Sequence, residues 1–198
     1  MKKLLFLFIS LSFTLLCSSC VKINISIERD SKPTPTPTIV EQTPEPMDSF
    51  DRIYNFIMMN GSFRDDRWVY NRTLTDLDDA TGSISLIALD DGRISLSRVE
   101  YRGSSEIIVV VTIDKNKDSV FSTYTSLTKN EMMIDQSCHF DKKALAGGEI
   151  EIYDIILNAS TLDEDTMETI HSVMARATIK DAEDVLENED FSIADLAD

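Results

Sequence analysis

From Asp48 onward the chain switches between two hydrophobic periods. Residues 48–60 set Phe50, Ile53, Tyr54 and Ile57 at spacings of three and four, the apolar stripe of an amphipathic helix. Asp48 or Ser49 can cap its start, and Gly61 is expected in the left-handed region just past its end. The period then drops to two. Arg67 to Leu74 places Trp68, Tyr70 and Leu74 on one face of a strand, and Ser83–Leu89 and Arg93–Tyr101 flank Asp90-Asp91-Gly92, a hairpin signal. In the second of these strands the apolar phase slips from Ile94 and Leu96 to Val99 and Tyr101, which predicts a bulge near Ser97. Glu106 to Ile113 is apolar on both faces, as in a central strand, and Ser119 to Leu127 is rich in β-branched and aromatic residues. Met132 to Phe140 turns Met132, Ile134, Cys138 and Phe140 inward and Asp135, Ser137 and His139 outward, whereas Ile150 to Leu157 is mixed.

The helical period returns after Thr161-x-x-Glu164, which reads as a capping box. Met167, Ile170, Met174 and Ala177 form the stripe, continued by Ala182, Val185 and Leu186 to about Glu187, and Phe191, Ile193 and Leu196 are spaced to dock a final turn. Short connections favour antiparallel neighbours. The expected fold class is therefore α+β: an antiparallel β-meander of about six to seven strands, with an N-terminal and a C-terminal helix covering one face.

The segment before Asp48 carries no helical stripe, and only Val21 to Ile27 alternates as a strand would. Lys2 and Lys3 precede an apolar run from Leu4 to Leu16, shorter than the roughly 20 residues a bilayer span requires, which is the pattern of an export signal. The run ends in Leu16-Cys17-Ser18-Ser19-Cys20, small residues before a cysteine. This resembles the lipobox of bacterial lipoproteins, with Cys17 standing where that family usually has Leu. The resemblance implies cleavage after residue 19, lipidation of Cys20, and a lipid anchor at the extracytoplasmic face of a cell membrane. Residues 20–47 then form a tether holding all five prolines, three of them in a six-residue alternation of Pro and Thr from Pro33 to Thr38, which favours an extended polyproline-like chain. The organisation is a signal peptide at 1–19, a lipidated tether at 20–47 and an acidic α+β domain at 48–198.

Charge narrows the partners. The chain carries a formal −16, and loss of Lys2 and Lys3 with the signal makes it more negative still. Nucleic acid and anionic membrane surfaces reward clustered cations and are not expected partners, which leaves the membrane reached through the lipid and an envelope protein or cationic peptide. Between Leu162 and Asp198 twelve acids face only Arg176 and Lys180, the mark of a solvated helix face. Once the signal is removed, Cys20 and Cys138 are the remaining cysteines, so neither a disulfide within the domain nor a cysteine-cluster metal site is available.

Candidate chemistry is sparse. Asp114, Asn116 and Asp118 alternate as at the opening of an EF-hand-type calcium loop, but Ser119 stands at the sixth position and Thr125 at the twelfth, so a polar hairpin turn is the preferred reading. His139 and Cys138 are adjacent on a strand and point to opposite faces, while His171 borders the helical stripe as a hydrogen-bonded, partly buried residue. Glu149 and Glu151 share a face in a charged, Gly-rich context. No catalytic motif or cofactor fingerprint is present. The leading reading is a non-enzymatic binding or interaction module without a cofactor, with Trp68, Tyr70, Tyr101, Phe121 and Tyr124 as aromatic candidates for its surface or core. Two alternatives remain: an envelope hydrolase, which requires His139 or His171 within reach of two carboxylates, and a calcium-stabilised domain.

Overall fold

A computed structural model describes residues 47–197 except 76, 78, 129 and 130, and leaves the side chains of Glu131 and Met132 aside. The signal sequence, Cys20 and most of the tether lie outside the described residues. Helix α1 (Ser49–Asn60) leads into strands β1 (Ser62–Arg64), β2 (Arg67–Leu74), β3 (Thr81–Leu89), β4 (Ile94–Arg102), β5 (Ser105–Ile113), β6 (Ser119–Thr128), β7 (Glu131–Asp141) and β8 (Tyr153–Ser160), and then into helix α2 (Glu164–Glu187). Short 3-10 helices occupy Lys142–Ala146 and Ile193–Leu196. The strands form one antiparallel sheet in chain order, so the expected meander is present and is longer by a strand, since three-residue β1 carries too little pattern to announce itself.

Both helices lie on one face of the sheet. Phe50, Ile53 and Ile57 of α1 and Ala175, Ile179, Ala182, Val185 and Leu186 of α2 pack with Ile84, Leu86, Leu96, Val111, Cys138 and Phe140 in one core. Asp48 caps α1, its carboxylate accepting from the Asp51 N–H at 2.9 Å. The helix α2 begins later than Thr161-x-x-Glu164 suggested. Asp163 is its N-cap, accepting from the backbone N–H and the hydroxyl of Thr166, and Glu164 and Asp165 in the first turn complement the helix dipole. Its buried stripe is also rotated from the one expected. Met167, His171, Ala175, Thr178 and Ile179 face inward, whereas Ile170 and Met174 are only partly buried. Polar His171 and Thr178 are tolerated there because each has a hydrogen-bond partner, Thr178 donating to the Met174 carbonyl.

Gly61 corrects a second expectation. It is extended, at φ −84° and ψ 172°, rather than left-handed. The position requires glycine because of crowding: a Cβ would stand 2.6 Å from the Ile57 carbonyl oxygen and 2.9 Å from the backbone of Val69. Gly61→Ala is therefore expected to destabilise the fold by about 1–3 kcal/mol, read as a lowered urea midpoint, because backbone rather than a flexible side chain must yield. An unchanged midpoint would show that α1 and β2 are not in contact there.

The two sheet edges are treated differently. β1 is too short to template another chain, and β8 is broken by register shifts opposite Asp135/Gln136 and Ser137/His139, with Asp154 in the left-handed region at φ 52°. These irregularities explain why the sequence between Ile150 and Leu157 shows no clean alternation. The strand starts only at Tyr153, while Ile150 and Ile152 before it are buried and Glu149 and Glu151 are exposed.

Candidate functional site

Three places concentrate polar or aromatic groups. The first is an ion-pair cluster under α2. The bulge expected near Ser97 is absent: β4 pairs with β3 and β5 in unbroken register. The apolar phase slips because the core face of β4, after Ile94 and Leu96, continues with Arg98 and Glu100. Arg98 donates to Glu100 at 2.6 Å and to Asp181 of α2 at 2.7 Å, and the exposed Arg102 pairs with the second oxygen of Glu100. Burial alone would raise the Glu100 carboxyl, but hydrogen bonds from Arg102 and Arg98 outweigh it and hold the group below its ordinary value. The sequence shows both arginines and the glutamate; only the strand register reveals that Arg98 and Glu100 point inward.

The second is a buried polar cluster one row away. Ser122 of β6 and Cys138 of β7 are directly opposite each other, and His171 comes down on them from α2. Ser122 Oγ and His171 Nε2 share a hydrogen bond of 2.9 Å, and Cys138 Sγ lies 3.6 Å from His171 Nδ1. Adjacent Cys138 and His139 do point to opposite faces, as alternation requires, but the long-range partner of Cys138 is His171. Cysteine, serine and histidine together resemble a nucleophile and its base, yet the environment forbids that role. Cys138 and His171 are 1% and 0% exposed. Burial, reinforced by the charge of Glu168, pushes the Cys138 thiol up to about 12, and burial pulls His171 down to about 4. A neutral thiol beside a neutral imidazole with no route to solvent neither attacks nor shuttles protons. Gln136, in the next row, is fully buried and its amide makes no hydrogen bond among the described residues.

The third is the face of the sheet turned away from the helices. Its side chains fall into rows that cross β2 to β8. One row runs Val69, Ile87, Ser95, Thr112, Phe121, His139 and Tyr153. The next runs Asn71, Ser85, Ser97, Val110, Thr123, Ser137 and Ile156, and the third Thr73, Ser83, Val99, Ile108, Thr125, Asp135 and Ala159. Asp135 is the one carboxylate in these rows, and none of them holds a lysine or an arginine. In a chain in which 27% of residues are charged, and whose surfaces must carry most of that charge, this face stands out. It is also partly open: Phe121 is 39% and Tyr153 44% exposed, with His139 between their rings at centroid distances of 5.3 and 6.1 Å. Hydroxyls tie its strands together, Ser95 with Thr112 at 2.9 Å and Ser85 donating to Asn71 at 3.1 Å. Buried His139 Nδ1 has no partner among the described residues.

The aromatic candidates divide accordingly. Tyr124 is in the core, and Trp68 and Tyr70 pack against it beneath the helices. Tyr101 and Phe121 are exposed on the open side. Among the described residues, grooves of about 500 and 530 Å³ lie on either side of the Lys180–Asp184 pair of α2.

Asp114, Asn116 and Asp118 lie in the turn between β5 and β6, as the hairpin reading requires. Asp114 accepts from the Asn116 N–H at 2.9 Å and faces Lys117, while Lys115 pairs with Asp48 and Asp51 at the start of α1. The carboxylate that would open a calcium loop is engaged in closing its own turn. Among the described residues no three His, Cys, Asp or Glu side chains are grouped to hold a metal ion, and the hydrogen bonds of His171 go to Ser122 and Cys138, with no carboxylate among them. Comparison of the chain with family models, with curated proteins and with solved structures returns no match.

Proposed function

We propose that this protein is a lipid-anchored, extracytoplasmic binding module, tethered through Cys20 and presenting the open face of its sheet to a partner in the cell envelope. The observation that carries the reading is the scarcity of charge in the three middle rows of that face, where Asp135 is the one charged side chain, while Arg67, Glu106 and Asp141 stand in the rows beyond. Solvated sheet faces are ordinarily protected by lysine and glutamate, and a face of Ser, Thr, Val and Ile rimmed by exposed aromatic rings is more costly to leave in water than a charged one. The anchor rests on the sequence Leu16-Cys17-Ser18-Ser19-Cys20, and the proline-bearing tether supplies reach of about 3.1 Å per residue in its stiff portions. The Ser122, Cys138 and His171 cluster supports a non-enzymatic role, since it is sealed from solvent and uncharged.

Two measurements test this. Detergent-phase partitioning of the expressed full chain should place it with the detergent and Cys20→Ser with the aqueous phase. Identical partitioning would remove the anchor. A photo-crosslinking residue at Thr123, in the middle of the open face, should give adducts in intact cells, whereas one at Asp184 on the exposed side of α2 should not. Adducts from Asp184 alone would move the binding surface to the grooves beside α2.

A further inference from the structure

Resting on the open-face reading, we infer that the ligand class is a neutral polysaccharide, bound along the rows of the open sheet face. Charge decides first. The chain carries −16, so an anionic polymer is repelled at long range, while a cationic peptide would need carboxylates where it docks. Within the three rows Asp135 is the sole carboxylate, and it accepts a hydrogen bond from Asn158 at 3.0 Å. Charges flank these rows, with Arg93, Asp114 and Lys117 beside Phe121 and His139 at one end and Glu106 at the other, and the strip between them matches an uncharged occupant.

Extent decides next. Seven strands about 4.8 Å apart, and three rows separated by about 7 Å, give a surface roughly 29 Å by 14 Å, on the order of 600 Å² once side-chain width is included. A stable pairing with a second copy requires about 800 Å² from each partner. Two such faces apposed would also bring two chains of −16 together. A long, narrow ligand lying across the strands suits the dimensions better than a second protein.

The chemistry then fits a sugar polymer. Phe121 and Tyr153 are partly exposed at one end of the first row, and the C–H bonds of a pyranose carry the partial positive charge that an aromatic ring attracts. Beside them the middle row presents Ser85, Ser97, Thr123 and Ser137, hydroxyls that both donate and accept as sugar hydroxyls do.

Affinity electrophoresis of the purified full chain tests the inference, with dextran, mannan and hydroxyethyl-cellulose in the gel and polygalacturonate as an anionic control. At least one neutral polymer should retard the chain and polygalacturonate should not. Phe121→Ala/Tyr153→Ala should weaken that retardation about tenfold with an unchanged melting temperature. Thr123→Glu should abolish it. Three outcomes overturn the inference: no retardation by any neutral polymer, retardation that survives Thr123→Glu, or a sedimentation dimer that Thr123→Glu dissociates, which would make the face a self-interface. A protein adduct at Thr123 in cells without glycan retardation would leave the binding-module reading intact and remove only the polysaccharide.

Discussion

Arg98→Met is expected to destabilise the fold by about 3–5 kcal/mol, the largest single effect available outside the apolar core. The guanidinium is buried between Glu100, whose side chain is 2% exposed, and Asp181 on α2. Removing it leaves Glu100 with only the exposed Arg102, and a buried carboxylate short of a partner costs far more than the pair contributed when complete. Asp181 suffers less, because its side chain is 23% exposed and water can replace the lost donor. The double variant Arg98→Met/Glu100→Leu removes both charges and restores an apolar layer over Val109 and Ile84, so it should recover most of the loss. Urea unfolding of the two variants separates the explanations. A single-variant loss below about 1 kcal/mol, or a double variant no better than the single, would show that Arg98 and Glu100 are solvated rather than enclosed.

That cluster also shows where the sequence stops being legible. Elements with one clean period were readable from their residues: α1 from Phe50, Ile53 and Ile57, the β3–β4 hairpin from Asp90-Asp91-Gly92, and the meander from its short connections. Errors arose where a polar residue occupies an inward position. Arg98 and Glu100 read as a break in phase, and His171 as the border of the α2 stripe, because a hydrophobic pattern records only apolar side chains. What makes each inward polar group tolerable is a partner from another element, such as Asp181 for Arg98 or Ser122 for His171, and that pairing spans 83 and 49 residues of chain. Gly61 was legible as a helix-ending glycine but not in its reason, since crowding by Val69 is a tertiary fact. The open face was hidden for a different cause. Each strand read alone shows unremarkable outward Ser and Thr, and the lack of charge emerges only when the register aligns them into rows.

The second large effect concerns acid. His171 is pulled from 6.5 to about 4 by burial, so in the folded protein it resists protonation across a range where the unfolded chain accepts a proton. With the unfolded state binding more protons, stability rises with pH between those two values. The contribution of His171 is therefore complete above about pH 6.5 and is lost progressively as pH falls to about 4, a total of roughly 3 kcal/mol. Glu100, held below its ordinary value, destabilises in the same direction but at lower pH, as the carboxylate of the unfolded chain begins to protonate. The two windows are separable with a variant that removes the imidazole without stranding its partner. Ser122→Ala/His171→Met replaces a hydrogen-bonded pair by apolar groups, avoiding the unsatisfied hydroxyl that His171→Met alone would bury. Between pH 7 and pH 4.5 the unfolding free energy of the parent should fall by about 2–3 kcal/mol more than that of this variant, since surface carboxylates titrate alike in both and cancel in the difference. Parallel curves over that interval would mean that the imidazole is reached by water in the native state, and with it the seal over Cys138 would be lost.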